Sequence, residues 1–140
     1  MRTVVLTLWM LVGCTVLAQD ITGRWITVND ETGKKRSVVE INVKNGVATG
    51  HVVHLFRGPN EDQDPICHIC PDDRKGKKVM GMEIIRNMVR EGNEWVDGTI
   101  MDPANGKVYD CKFWLENGVL KVRGYVAFFY RTQTWIREPK

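Results

Sequence analysis

From Arg24 to Asn29, Trp25 and Thr27 alternate with Ile26 and Val28 before Asp30-Glu31-Thr32-Gly33 breaks the run. Ser37 to Lys44 repeats the rhythm, with Val39, Ile41 and Val43 on one side and Val38, Glu40 and Asn42 on the other. Period-two alternation predicts strands with two unlike faces. Asn45-Gly46 separates the second run from Val47 to Phe56, and Asn-Gly between strands predicts a tight hairpin because both residues tolerate positive φ. Beyond Glu91-Gly92-Asn93 the pattern returns as Glu94 to Met101, Lys107 to Leu115, Val119 to Phe128 and Arg131 to Arg137, with turn residues at Asp102 to Gly106 and Asn117-Gly118. Val79 to Arg90 fits both periods. Ile84, Ile85, Met88 and Val89 make a helical face and Met80, Met82 and Ile84 a strand face; we read it as a strand. The sum is about eight strands in sequential order with no segment long enough to cross over as a helix. An edge-free meander of eight strands is an all-β, antiparallel up-and-down barrel, with a two-sheet sandwich as the alternative.

One long connection follows the third strand. Arg57 to Lys78 contains Pro59, Pro65, Pro71, several acids and the pair Cys67 and Cys70, and it has no strand rhythm. A loop of this length inside a small domain is usually functional or mobile.

At the start, Arg2 precedes an apolar run from Val4 to Leu17 that ends in Val16-Leu17-Ala18, the form of a secretory leader. Residues 1–18 are therefore expected to be a signal peptide and residues 19–140 a single β-barrel domain secreted to the periplasm or cell envelope. Leu11-Val12-Gly13-Cys14 offers the alternative of a lipobox, which would make an outer-membrane lipoprotein anchored through Cys14. Membrane attachment is expected only in that case. Without Arg2, 20 basic residues become 19 against 17 acidic ones. So small and well mixed an excess carries no nucleic-acid footprint, and Lys34-Lys35-Arg36 and Arg74 to Lys78 read as solvated loops. Oligomeric state is not encoded in any of these patterns.

The seam residues Ile21-Thr22-Gly23-Arg24-Trp25, together with Arg137, resemble the signature of the calycin superfamily of lipocalins, fatty-acid-binding proteins and avidins. The resemblance implies that Gly23, Trp25, Trp135 and Arg137 close the barrel floor. Over nearly the whole domain the chain is similar to a family of secreted bacterial proteins, domain of unknown function 2147. The similarity is carried by Gly81-Met82-Glu83-Ile84-Ile85, by Gly98 to Tyr109 with Asp102-Pro103 and Gly106-Lys107, by Leu120 to Tyr125 and by Arg131 to Arg137. Ala127-Phe128-Phe129-Tyr130 departs from the Gly-rich approach expected before the last strand.

Cys67-His68-Ile69-Cys70 is the sharpest local motif. In an oxidising compartment it predicts a short Cys67–Cys70 disulfide, leaving Cys111 as a buried thiol; pairing of Cys111 with either loop cysteine is a second option. A metal site is the other chemistry. C-x-x-C is half of a zinc knuckle, and His68, Cys111, His51 or His54 would complete it, although no second paired motif is present. A redox role would require a C-x-x-C at a helix start, which this loop lacks. No G-x-S-x-G, nucleophile–base pair or phosphate loop points to catalysis, so no catalytic residue is assigned. The expected function is binding of a small, largely apolar molecule with no cofactor. Glu40, Tyr109, Arg123 and Arg131 are the candidate polar contacts to it, although Arg123 alternates with Lys121 and Tyr125 on what reads as the outer wall. The alternatives are a metal-binding (zinc) or redox role through Cys67, His68 and Cys70, and a structural envelope protein acting through its outer surface.

Overall fold

Alternating side chains and left-handed turn residues convert directly into a meander. The computed structural model describes residues 20–140, so the segment expected to be a leader, with Cys14, lies outside the described residues. Among the described residues the strands are β1 (Gly23–Val28), β2 (Lys35–Lys44), β3 (Val47–Leu55), β4 (Ile66–Cys67), β5 (Lys77–Lys78), β6 (Glu83–Glu91), β7 (Glu94–Asp102), β8 (Lys107–Glu116), β9 (Val119–Val126) and β10 (Phe129–Arg137). Eight of them form a closed antiparallel barrel in the order β1-β10-β9-β8-β7-β6-β3-β2, and β4 and β5 pair with each other. Closure is made where Trp25 faces Arg137 and Ile26 faces Ile136.

The turns at Asn45-Gly46 and Asn117-Gly118 join β2 to β3 and β8 to β9, with both residues of each at positive φ. With Gly92-Asn93 between β6 and β7, they form one end of the barrel. The opposite end carries residues 29–34, the long segment 56–82, residues 103–106 and the turn Ala127-Phe128. Trp25, Val39, Ile41, Ile85, Phe113 and Leu120 are fully buried and belong to one core cluster.

Three boundaries differ from the expectation. The run Val79 to Arg90 is strand only from Glu83, because Val79–Met82 turns back toward β3: Val52 donates to Met82 O at 2.9 Å and Gly81 donates to Val52 O at 2.7 Å. The long loop is not wholly irregular, since it contains the β4–β5 ribbon and a 3-10 turn at Asp72–Arg74. The last hairpin turns at Ala127-Phe128 rather than after Phe128, with Ala127 at φ 51°, and β10 starts at Phe129.

The register shifts where β6 meets β3 and where β7 meets β8, and Asn87 and Asp97 sit at φ 60° and 62° on β6 and β7. Beside this irregularity Gly98 is packed so tightly that a Cβ would lie 2.3 Å from Arg86 O and 2.8 Å from Met88 N. Both obstacles are backbone. Gly98→Ala is therefore expected to destabilise by about 1–3 kcal/mol or more, measurable as a lower denaturation midpoint with an unchanged slope.

Candidate functional site

The two ends of the barrel have different chemistry. At the turn-only end Trp25 is fully buried, its Nε1 donates to Ile21 O at 2.8 Å, and the Arg137 guanidinium lies 4.2 Å over its ring. Arg137 Nη1 and Nη2 donate to Thr22 O (2.9 Å) and Asp20 O (2.7 Å), tying the last strand to the first. Gly23 leaves room for this, since a Cβ there would sit 3.1 Å from Arg137 Nη1. Indole, cation and carbonyls satisfy one another, so this end is a plug rather than a site.

The other end opens into a cavity of about 850 Å³. Along β10 its lining runs from Trp135 through Gln133 and Arg131 to Phe129, about 20 Å of strand. Deeper walls come from Val52, Ile84, Ile100, Met101 and Val122. The polar lining is largely self-satisfied. Thr27 Oγ1 and Ser37 Oγ lie 2.7 Å apart, Trp135 Nε1 donates to Gln133 Oε1 at 3.0 Å, and Gln133 Nε2 donates to Asp30 Oδ2 at 3.3 Å. At the mouth Arg36 Nη2 donates to Asp102 at 3.1 Å, and Asn105 Nδ2 donates to the Tyr109 hydroxyl at 3.0 Å. With its oxygen accepting, the Tyr109 O–H is left to donate.

Pro65 to Ile69 cross the mouth and line the cavity. Cys67 and Cys70 form a disulfide and both are buried. Closing a loop of four residues stabilises by about 2 kcal/mol in the chain-entropy model. The bridge also sets the loop against the β7–β8 turn. Cys67 Sγ lies 3.6 Å from Pro103 O, and Gly106, at φ +70°, passes so close that a Cβ would meet Ile69 O at 2.3 Å. Further along, the loop is clasped to the wall. Arg74 is buried and donates through Nε and Nη2 to Asp72 (2.9 and 2.7 Å) and through Nη1 to Glu83 O (3.2 Å). Asp73 takes two 2.8 Å bonds from Arg86, whose Nε also approaches Glu83 Oε1 at 2.7 Å as a charge contact without hydrogen-bond geometry. Arg86 holds the Asp73 carboxyl well below the usual carboxylate range, and the Arg74 bonds lower Asp72 in the same way. A depressed carboxylate contributes fully above its ordinary pKa and is lost only as pH falls through the lower, folded value. The clasp therefore holds at all but strongly acidic pH.

The structure separates the four candidate ligand contacts. Tyr109 and Arg131 line the cavity, while Glu40 and Arg123 do not. Val39 and Ile41 turn inward, so Glu40 between them faces out and pairs with Arg24 at 2.9 Å. Arg123 likewise lies outside, between the rings of Trp114 (5.0 Å) and Tyr130 (4.3 Å), with its Nε on Thr132. The candidate zinc ligands are not brought together. The disulfide takes the sulfurs of Cys67 and Cys70 out of thiolate chemistry, His68 is exposed, and Cys111 is free and buried in the core. Burial pushes the Cys111 thiol up to about 12, so it is held neutral. Among the described residues no three His, Cys, Asp or Glu side chains converge on a metal-sized site.

Arg36, Asp102, Asn105 and Gln133 are lining residues that alternation alone did not single out. Gln133 had a usable signal: it lies two residues from Trp135 and from Arg131, on the same face of the strand. Arg36 was hidden in a basic cluster, and Asp102 and Asn105 in a turn.

A closed eight-stranded meander, plugged at one end by a stacked Trp–Arg pair and open at the other into a lined cavity, defines a calycin-like barrel. Residues 23–137 match the family described as an uncharacterized protein conserved in bacteria, domain of unknown function 2147, and the chain belongs to that family. Among solved structures it is similar to protein HP1028 of Helicobacter pylori, which is described as belonging to the lipocalin family. The two share 15% identity at a TM-score of 0.72, over 86% of this chain and 84% of that one. No curated protein matches the chain.

Proposed function

We propose that this protein binds a small, largely apolar molecule inside the barrel, in an extracytoplasmic compartment. The observation that carries the reading is the cavity itself. An eight-stranded barrel is just wide enough for its own side chains to fill or for one small ligand to occupy; here about 850 Å³ stays open, within the range of small-molecule sites. Apolar walls supply the driving force, and Tyr109, Asn105 and the cations at the mouth supply orientation. The leader pattern and the Cys67–Cys70 disulfide support the compartment; the mature N-terminus, read by mass spectrometry, separates cleavage after Ala18 from lipidation at Cys14.

Trp135 lines the cavity and is a built-in reporter. Titration with octanol, decanol and dodecanol, followed by tryptophan fluorescence, is expected to show affinity rising about fourfold per added methylene, because each buried CH₂ is worth about 0.8 kcal/mol. The rise stops when the chain outgrows the cavity. Affinity independent of chain length, or no saturable signal, would overturn the reading.

A further inference from the structure

We propose that the open end of the barrel docks on an anionic phospholipid bilayer, led by Phe128. The inference stands apart from the cavity reading and starts from where apolar area is left uncovered. Phe128 is 99% exposed, and Phe129 and Ile69 are 79% and 61% exposed. Ile66, Met80 and Tyr130 are exposed on the same loops and hairpin. Phe129, Tyr130, Ile66 and Ile69 border one opening, the cavity mouth. The opposite end is different, since its turns are Asn45-Gly46, Gly92-Asn93 and Asn117-Gly118 and carry no apolar side chain. Val43, Val89 and Ile136 are exposed near the strand ends there, but none sits in a turn and none approaches the exposure of Phe128.

A side chain as exposed as Phe128 buries nothing on folding, so its apolar area has use only against something else. The turn even places Ala127 at φ 51°, a left-handed conformation that favours glycine. Apolar tips that insert at a bilayer surface work together with basic residues that meet anionic headgroups, and charge at this end supplies them. Most of its carboxylates are engaged: Asp30 with Arg131, Glu61 with Arg57, Asp64 with Lys78, Asp72 with Arg74, Asp73 with Arg86 and Asp102 with Arg36. At this end, among the described residues, Lys34, Lys35, Lys75, Lys77 and Lys107 have no carboxylate within 4.0 Å, against Glu31, Asp62 and Asp110 without a cation and Glu83, which shares Arg86 with Asp73. The uncompensated charge is thus positive. Two such faces repel each other, which argues against a second copy of the chain, and an anionic bilayer attracts them. Docked in this way, the barrel presents its cavity mouth to the lipid.

The test is flotation with phosphatidylcholine vesicles, with and without phosphatidylglycerol, at low and high salt. Wild-type protein is expected to float with the phosphatidylglycerol vesicles and to be released by salt. Phe128→Asp, on a side chain outside the cavity lining, is expected to weaken binding at least about tenfold while leaving decanol uptake unchanged, and Phe128→Trp to keep it. Both variants share the wild-type N-terminus, so any anchor there cancels from the comparison. No flotation with either vesicle, or equal flotation of Phe128→Asp, overturns the proposal. A dimer that Phe128→Asp dissociates, without vesicle binding, also overturns it and assigns the face to self-association. Loss of decanol uptake in the wild type would instead overturn the cavity reading and leave the docking result to stand by itself.

Discussion

Trp25→Ala is expected to lower the stability of the domain by about 3–5 kcal/mol, a large part of the 5–15 kcal/mol typical of a domain. Trp25 is fully buried, and its loss removes more than volume. The Ile21 carbonyl loses its donor, and the Arg137 guanidinium loses the ring it covers. Arg137 faces Trp25 across the β1–β10 seam, so the closing pair of strands is weakened directly. Trp25→Phe keeps a ring under the cation and should lose less than half as much. Denaturant titration of the three proteins checks the order. Wild-type stability in Trp25→Ala would show that the seam does not depend on the plug.

Gly124→Leu is expected to reduce alcohol uptake about tenfold or more with little change in stability. Gly124 lines the cavity, and a Cβ there would make ordinary contacts of 3.4 and 3.6 Å with Tyr109. The backbone therefore accepts a side chain, and the remaining atoms of leucine project into space the ligand needs. An overpacking cost of about 1–3 kcal/mol, transferred from the fold to the complex, accounts for the loss. Gly124→Ala, adding only the tolerated methyl, should bind nearly as the wild type does. Equal affinity in all three proteins would place the ligand elsewhere.

The barrel was legible because its signals are local. Alternation at Val39 and Ile41, and Asn-Gly at 45–46 and 117–118, decide strand and turn within a few residues. The two-faced segment Val79 to Arg90 departs from the strand expectation at its start. Hydrogen bonds from Val79–Met82 to distant Val52, invisible to periodicity, keep that stretch out of the strand. The site was legible only in part, for a related reason. Tyr109 and Arg131 followed from polar residues on strands, yet the same rule admitted Glu40 and Arg123, because choosing between faces needs one inward residue known in advance. Val39 and Ile41 provided that anchor for Glu40. Arg36 and Asp102 meet across 66 positions of sequence, a pairing that composition and spacing do not encode. The Cys67-His68-Ile69-Cys70 motif allows both disulfide and metal by its spacing alone; here the two sulfurs are bonded to each other and buried.

The central claim is that the interior of the barrel holds a largely apolar ligand. Its most direct test is a chemical-shift map of isotopically labelled protein titrated with decanol. Saturable shifts at the methyls of Val52, Ile84, Ile100 and Val122 and at the Trp135 indole, with Val43, Ile136 and the Trp25 plug unmoved, are the result expected. Shifts confined to the outer surface, or none at all, would contradict it.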